Sequence, residues 1–296
     1  MKKIVVSLCS LFVICLSAIS CVSMDFSDIA LNMIDDGGES VVKSVNAIKR
    51  AATDITPEEE YYLGRSTSAI IIEKNGGLYN NTEKTKYVNK ICGALVMYSE
   101  KPYLYKGYSV GILNSQDLNA ISTPGGHIFI TKGMYDIADS EDALAAIIAH
   151  EIAHIQLNHA SDVIKMSRTM EAVTATVDAV DKLTRSREEL EEEEWVNALS
   201  LAYVEKILTD GFSSEQEFEA DAYALKLLVD AGYDPKTMAD ALVALKMNQN
   251  GKTTFDKTHP RPNDRLEKVN AKLKAEPFVS CNANKEDRIE RFKKYR

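Results

Sequence analysis

A chain of 296 residues, 45% of them hydrophobic and 27% charged, has enough apolar material for one large domain or two small ones, and its composition excludes a disordered chain. The formal charge is −9, or −11 once the two lysines of the leader described next are removed, and such an acidic chain excludes nucleic acid as a partner. No internal repeat is present.

Residues 1–20 read as an export signal: Lys2 and Lys3 precede an apolar run from Ile4 to Ile19 that is too short for a comfortable membrane span. Ala18-Ile19-Ser20-Cys21 resembles a lipobox, in which cleavage leaves Cys21 as a lipidated N-terminus; ordinary cleavage near Ser20 or Ser23 is the alternative. Cys92 and Cys281 then remain as either a disulfide pair or two buried thiols. Residues 21–56 read as a tether, broken at Asp35-Asp36-Gly37-Gly38.

Thr56 followed by Pro57-Glu58-Glu59-Glu60 is a helix start, with proline at the first helical position, and Asn75-Gly76-Gly77 ends that helix near Lys74. Val88, Ile91, Cys92 and Leu95 mark a second helix over residues 82–98. The period then changes. Residues 108–114, 119–123 and 127–131 read as strands of a small antiparallel sheet, with a type II turn at Thr123-Pro124-Gly125-Gly126. Gly126, His127, Ile128 and Phe129 are expected to form an open edge to which an extended peptide adds by main-chain hydrogen bonds, the other reading being a purely structural hairpin.

Ser140 with Glu141 and Asp142 caps a helix whose Leu144, Ile147, Ile148, Ile152 and Ile155 recur at helical spacing. On it stands His150-Glu151-Ile152-Ala153-His154. Histidines four residues apart share a helix face and can reach one zinc ion, and Glu151 then lies beside the water to be activated, the position of a general base. Two histidines leave the ligand set short of a third protein donor. His159 lies about 180° from His150 and 140° from His154 around an unbroken helix, which excludes it as a ligand there and makes it a polar contact at the helix end. A later helix begins at Ser213. On it Glu217 shares a face with Asp221, Leu225 and Leu228, whereas Glu219 shares one with Tyr223, Lys226 and Asp230. A carboxylate on an apolar face needs a metal or a hydrogen-bond partner, so Glu217 is chosen as the third ligand, with Asp221 behind a ligating imidazole. The set implies one zinc ion per chain.

HEIAH, the EFEAD segment at residues 217–221, Asn119-Ala120 with Pro124-Gly125-Gly126, and Thr258-His259-Pro260 followed by Arg265-Leu266 occur in an order that resembles metallopeptidase family forty-eight, the HtpX and CAAX-prenyl-protease-like gluzincins, over residues 57–275. The exported branch of that family is the nearest in character. The resemblance implies a mainly helical α+β gluzincin fold with a small sheet beside the zinc helix, and zinc held by His150, His154 and Glu217. The chain departs from the family at Ser213-Ser214, where members often carry Ser-Arg. Arg265 and His259 are the candidates for stabilising the oxyanion. In the resembling exported enzymes this histidine takes the open zinc position and holds the protease inactive, which leaves His259 as a catalytic group, a cap on the metal, or a loop residue without a role.

Residues 161–211 read as a helical insertion with the acidic run Arg187-Glu188-Glu189-Leu190-Glu191-Glu192-Glu193-Glu194, either a solvated helix face or a lid over the cleft. Residues 276–296 read as a charged tail. The leading functional reading is a zinc endopeptidase of the bacterial cell envelope, facing the periplasm and held to the membrane by lipid at Cys21, that degrades misfolded or damaged envelope proteins. A chaperone-like envelope lipoprotein with a latent zinc site is the alternative.

Overall fold

A computed structural model describes residues 54–161, 211–247, 258–259, 262–276 and 284–296, together with residues 45, 164–165, 169, 201 and 204–208. The signal segment, Cys21, nearly all of the tether, the acidic run and Cys281 lie outside the described residues. In chain order the elements are α1 (Pro57–Lys74), α2 (Thr82–Val96), β1 (Ser109–Leu113), β2 (Ala120–Thr123), a 3-10 turn at Pro124–Gly126, β3 (His127–Thr131), α3 (Lys132–Ile137), α4 (Glu141–Gln156), α5 (Ser214–Asp230), α6 (Lys236–Met247), α7 (Pro262–Ala275) and α8 (Lys285–Tyr295).

Local chemistry sets the helix starts. Thr56 and Glu59 form a reciprocal capping box ahead of Pro57, and Ser213 with Gln216 does the same for α5. Ser140 Oγ accepts from the Ala143 amide to open α4. Helix α4 is buried almost all round, as befits a central helix rather than a surface one. Leu144, Ile148 and Ile152 are fully buried on it, each worth about 1.5–3 kcal/mol of transfer free energy. Helix α4 contacts α5, and both carry fully buried alanines, at 149 and 153 and at 220 and 224.

The sheet is mixed, with strand order β1-β3-β2. The hairpin is antiparallel as expected, and Gly125, at φ 73° and ψ 13°, fills the position of a type II turn that needs positive φ. Strand β1, however, runs parallel to β3, pairing Ser109 with His127 and Leu113 with Thr131. Alternation marks a strand but not its neighbour or direction, and of the hairpin's two open sides β1 takes that of β3. Both sheet faces are apolar: Val110, Ile112, Ile128 and Ile130 join the main core, while Leu113, Ile121 and Phe129 pack with Ile71 of α1.

This order corrects the expected peptide-binding edge. His127, Ile128 and Phe129 lie on the central strand, paired to β1 on one side and β2 on the other, and Gly126 closes the turn. The tail is corrected as well. Residues 285–295 form α8, which docks on the first turn of α4: Arg288 Nε donates to Asp142 at 2.9 Å, and Arg291 donates twice to Glu141 at 2.6 and 3.0 Å. Glu141, only 2% exposed, also accepts from Tyr87 at 2.9 Å, and the Tyr87 ring stacks on Tyr295. Cys92 is a buried free thiol whose pKa burial pushes up to about 12.

Candidate metal centre

Helix α4 presents His150 and His154 one turn apart, and their Nε2 atoms approach to 3.0 Å. Glu217, from the first turn of α5, closes on both: its Oε2 lies 3.5 Å from His150 Nε2 and its Oε1 3.4 Å from His154 Nε2. The face argument made on α5 holds in the structure. Glu217 is fully buried and Asp221 nearly so, whereas the Glu219 side chain is 66% exposed. His259 supplies a fourth donor, with Nδ1 3.0 Å from Glu217 Oε1 and 3.3 Å from His150 Nε2.

The fit of a metal to these residues can be tested by distance. Ligands at 2.0–2.1 Å around a tetrahedral zinc stand about 3.3 Å from one another. The separations of 3.0–3.5 Å within the cluster match that edge, and all four residues are buried. Three imidazoles and a carboxylate are donors of the type zinc takes. Beside them Glu151 Oε2 is buried without a hydrogen-bond partner among the described residues, a cost that a reacting group beside a metal accounts for.

Each donor is held from behind. Asp221 Oδ1 lies 3.0 Å from His150 Nδ1, so the carboxylate accepts the Nδ1 proton and turns the Nε2 lone pair inward. Arg265, 1% exposed, binds both oxygens of Asp221 at 2.9 and 2.7 Å and reaches Glu217 Oε2 with Nη1 at 2.8 Å. The expectation of Arg265 as a donor to an oxyanion is therefore corrected: two fixed carboxylates take up its fork, and it positions them. His259 is placed by the strand next to it. Its Nε2 donates to the carbonyl of Ala120 at 3.1 Å, which leaves the Nδ1 lone pair facing the cluster, and Thr258 Oγ1 donates to Asn119 Oδ1 at 2.9 Å. Asn119-Ala120, read as part of a strand, is thus also the cradle for Thr258-His259.

Burial would raise the Glu217 pKa, but His259 and Arg265 beside it, with hydrogen bonds from both ligand histidines, hold it well below the carboxylate range. For Asp221 the Arg265 charge and hydrogen bonds likewise overcome burial and bring the value to about 2. Burial and Arg265 act to lower His150, yet its hydrogen bonds to Asp221 and Glu217 lift it to about 9 in the metal-free chain. His154 goes the other way, and burial drives it well below 6.5.

One site residue, Phe212, escaped the reading of the chain, and His159 makes the polar contact expected of it at the end of α4. Phe212 stacks on His154, ring centroids 4.1 Å apart and planes 17° from parallel. His159 brings Nδ1 to 2.8 Å from His154 Nδ1. It does so because α4 ends at Gln156 and Asn158 takes the left-handed φ of 57°, which swings the next residue back toward the helix. That Asn, which tolerates such a turn, was the available signal.

A helical domain with a small sheet and a buried His-His-Glu cluster on two neighbouring helices has the architecture of a metal-dependent hydrolase of the HExxH type. The sequence matches Peptidase family M48 over residues 82–273, more than half of the chain, and the chain belongs to that family. It is 27% identical over 188 residues to the mitochondrial metalloendopeptidase OMA1 of Schizosaccharomyces pombe, covering 62% of this chain and 52% of that protein. It is 25% identical over 202 residues to metalloprotease LoiP of Escherichia coli, covering 66% and 73%. The beta-barrel assembly-enhancing protease of Escherichia coli is 24% identical over 197 residues, covering 64% and 39%. The chain spans about half the length of the yeast relative.

Proposed function

We propose that this protein is a zinc-dependent endopeptidase of the bacterial cell envelope that hydrolyses misfolded or damaged envelope proteins. The observation that carries the reading is the convergence of His150, His154 and Glu217 donor atoms within 3.5 Å of one another, with Glu151 alongside. Zinc in such a cluster supplies Lewis acidity, acidifying water and polarising a carbonyl. His150, His154 and Glu217 would hold the ion, and Asp221 would keep His150 in the tautomer that binds it. Glu151 accepts the proton of the attacking water and delivers it to the leaving amine nitrogen. Strand β2 brings its outer edge, through the Ala120 carbonyl, to His259 at the cluster.

His259 favours a second element in this reading, a resting state. Its Nδ1, 3.3 Å from His150 Nε2 and 3.0 Å from Glu217 Oε1, supports a role as a cap on the site, a histidine that would have to withdraw before a peptide enters. The names of the three relatives support a protease, and two of them are proteins of Escherichia coli, one named for enhancing beta-barrel assembly. Attachment of the chain to a membrane is assigned to lipid at Cys21; no helix among the described residues is long and apolar enough to cross a bilayer.

Casein hydrolysis by wild type, Glu151→Gln and His259→Ala tests the whole. The expected result is activity in wild type, loss in Glu151→Gln with zinc retained, and a gain in His259→Ala. Equal hydrolysis by wild type and Glu151→Gln would sink the peptidase reading in favour of a chaperone-like lipoprotein, and unchanged hydrolysis by His259→Ala would remove the cap.

A further inference from the structure

We propose that His159 is the positioning residue for the ligand His154, and that Glu219 completes this support from the protein surface. The inference rests on the zinc reading above and extends it to a residue outside the HExxH motif.

The two ligand histidines of α4 are supported differently. Behind His150 stands a carboxylate, Asp221. Behind His154 stands another imidazole, with Nδ1 facing Nδ1 at 2.8 Å and both rings buried. Two nitrogens this close require one N–H and one lone pair. His154 Nε2 belongs to the cluster, 3.0 Å from His150 Nε2 and 3.4 Å from Glu217 Oε1, so its lone pair lies on Nε2 and its proton on Nδ1. His154 Nδ1 is therefore the donor and His159 Nδ1 the acceptor. That assignment fixes the second ring as well. The His159 proton must sit on Nε2, which is buried without a hydrogen bond among the described residues and has Glu219 Oε2 at ion-pair distance, 3.4 Å.

The order from the metal outward is thus His154, His159, Glu219. Phe212 packs against both rings, stacked on His154 and tilted against His159 with centroids 5.9 Å apart, while the two imidazoles stand edge-on to each other at 72°. The Gln216 side chain, which completes the α5 capping box, donates to the His159 carbonyl at 3.4 Å and ties the turn after α4 to the helix that carries Glu217. A ring nitrogen is a weaker and more directional acceptor than a carboxylate. What His159 supplies is orientation: it selects the tautomer of His154 and sets the angle at which Nε2 meets the ion.

The test measures zinc affinity by chelator competition on the full chain, with no need for turnover. His159→Phe keeps an aromatic ring in the site and removes the acceptor. His159→Asn restores an acceptor oxygen at about the place of Nδ1. We expect His159→Phe to bind zinc about 10- to 100-fold more weakly than wild type and His159→Asn to return to within about threefold of it. Glu219→Gln should weaken binding less than His159→Phe. Binding by His159→Phe within twofold of wild type would overturn the proposal, and so would an Asn variant as weak as the Phe variant, since that would show a packing role only. A wild-type chain with no zinc affinity would overturn the zinc reading itself, an outcome distinct from either.

Discussion

Helix α4 meets buried acid at both ends, its own at the first turn and that of α5 at the other, and in each case an arginine from the C-terminal part of the chain binds it. At the first turn Glu141 meets Arg291, Tyr87 and Tyr233; beside the last turn Glu217 and Asp221, contributed by α5, meet Arg265, His150 and His154. The cationic partner is the same. The neutral partners differ, and they decide what each cluster can do. Tyrosine hydroxyls donate to Glu141 and leave no lone pair converging on a common point, so that cluster fastens α8 to α4. Imidazoles turn lone pairs inward toward Glu217, and only that end has a donor set for a cation. A buried carboxylate is thus a poor metal signature by itself, whereas a buried carboxylate facing two imidazole nitrogens is a good one.

The comparison can be broken in several ways, beginning with the largest effect. Glu151→Gln should lower casein hydrolysis by about 100-fold or more with the zinc content unchanged, since a general base contributes about that much. Glu217→Ala should strip zinc from the protein, while Glu141→Ala keeps a full zinc complement and loses about 1–3 kcal/mol of stability from the partners it abandons. Metal analysis paired with thermal denaturation checks both; zinc lost from Glu141→Ala would mean the two ends are one system. Arg265→Ala should cost the metal-free protein about 3–5 kcal/mol, because Glu217 and Asp221 lose the one guanidinium that binds both and are left with imidazole partners alone, and added zinc should recover part of it. Arg291→Ala, on a side chain 45% exposed, should cost no more than about 1 kcal/mol.

Acidity sharpens the same contrast. With its pKa raised to about 9, His150 is protonated in the metal-free chain at neutral pH and must lose that proton to bind zinc, so affinity should climb from pH 6 to pH 9. Titration calorimetry at pH 7 in buffers of different ionisation heat should report about one proton released per ion. Asp221, depressed to about 2, contributes to folding above its unfolded pKa near 3.8, and that contribution is lost as pH falls through 2.

Much of the site was legible because it is written in short-range periodicity. His150 and His154 are four residues apart, and Glu217 and Asp221 are separated from Glu219 by a helical face, a distinction their burial bears out. Capping chemistry located α1, α4 and α5 within a residue or two. What escaped depends on contacts far apart in the chain. Nothing local says that β1 takes the second side of β3, or that Arg291 reaches Glu141 across 150 positions. The charges of α8 look like those of a solvated tail until the acids they face are known. For Arg265, the chain shows a cation near the site but not the two carboxylates that claim it. His159 was legible as a polar contact at the helix end but its partner was not, because a helical wheel continues past Gln156 and the left-handed Asn158, which turns the ring back to His154, does not.

The helix α1 backbone touches the 3-10 turn so closely at Gly64 that a methyl group there would fall 1.8 Å from the Pro124 carbonyl oxygen. Together with α8, which grips the opposite end of the molecule's central helix, α1 lies outside residues 82–273, the span matched to the family. The packed unit is therefore wider than the span matched to the family. A fragment excised at the family bounds would uncover Ile121 and Phe129 on one side and Glu141 on the other, and is expected to aggregate, whereas one running from residue 54 to residue 296 keeps both flanks closed.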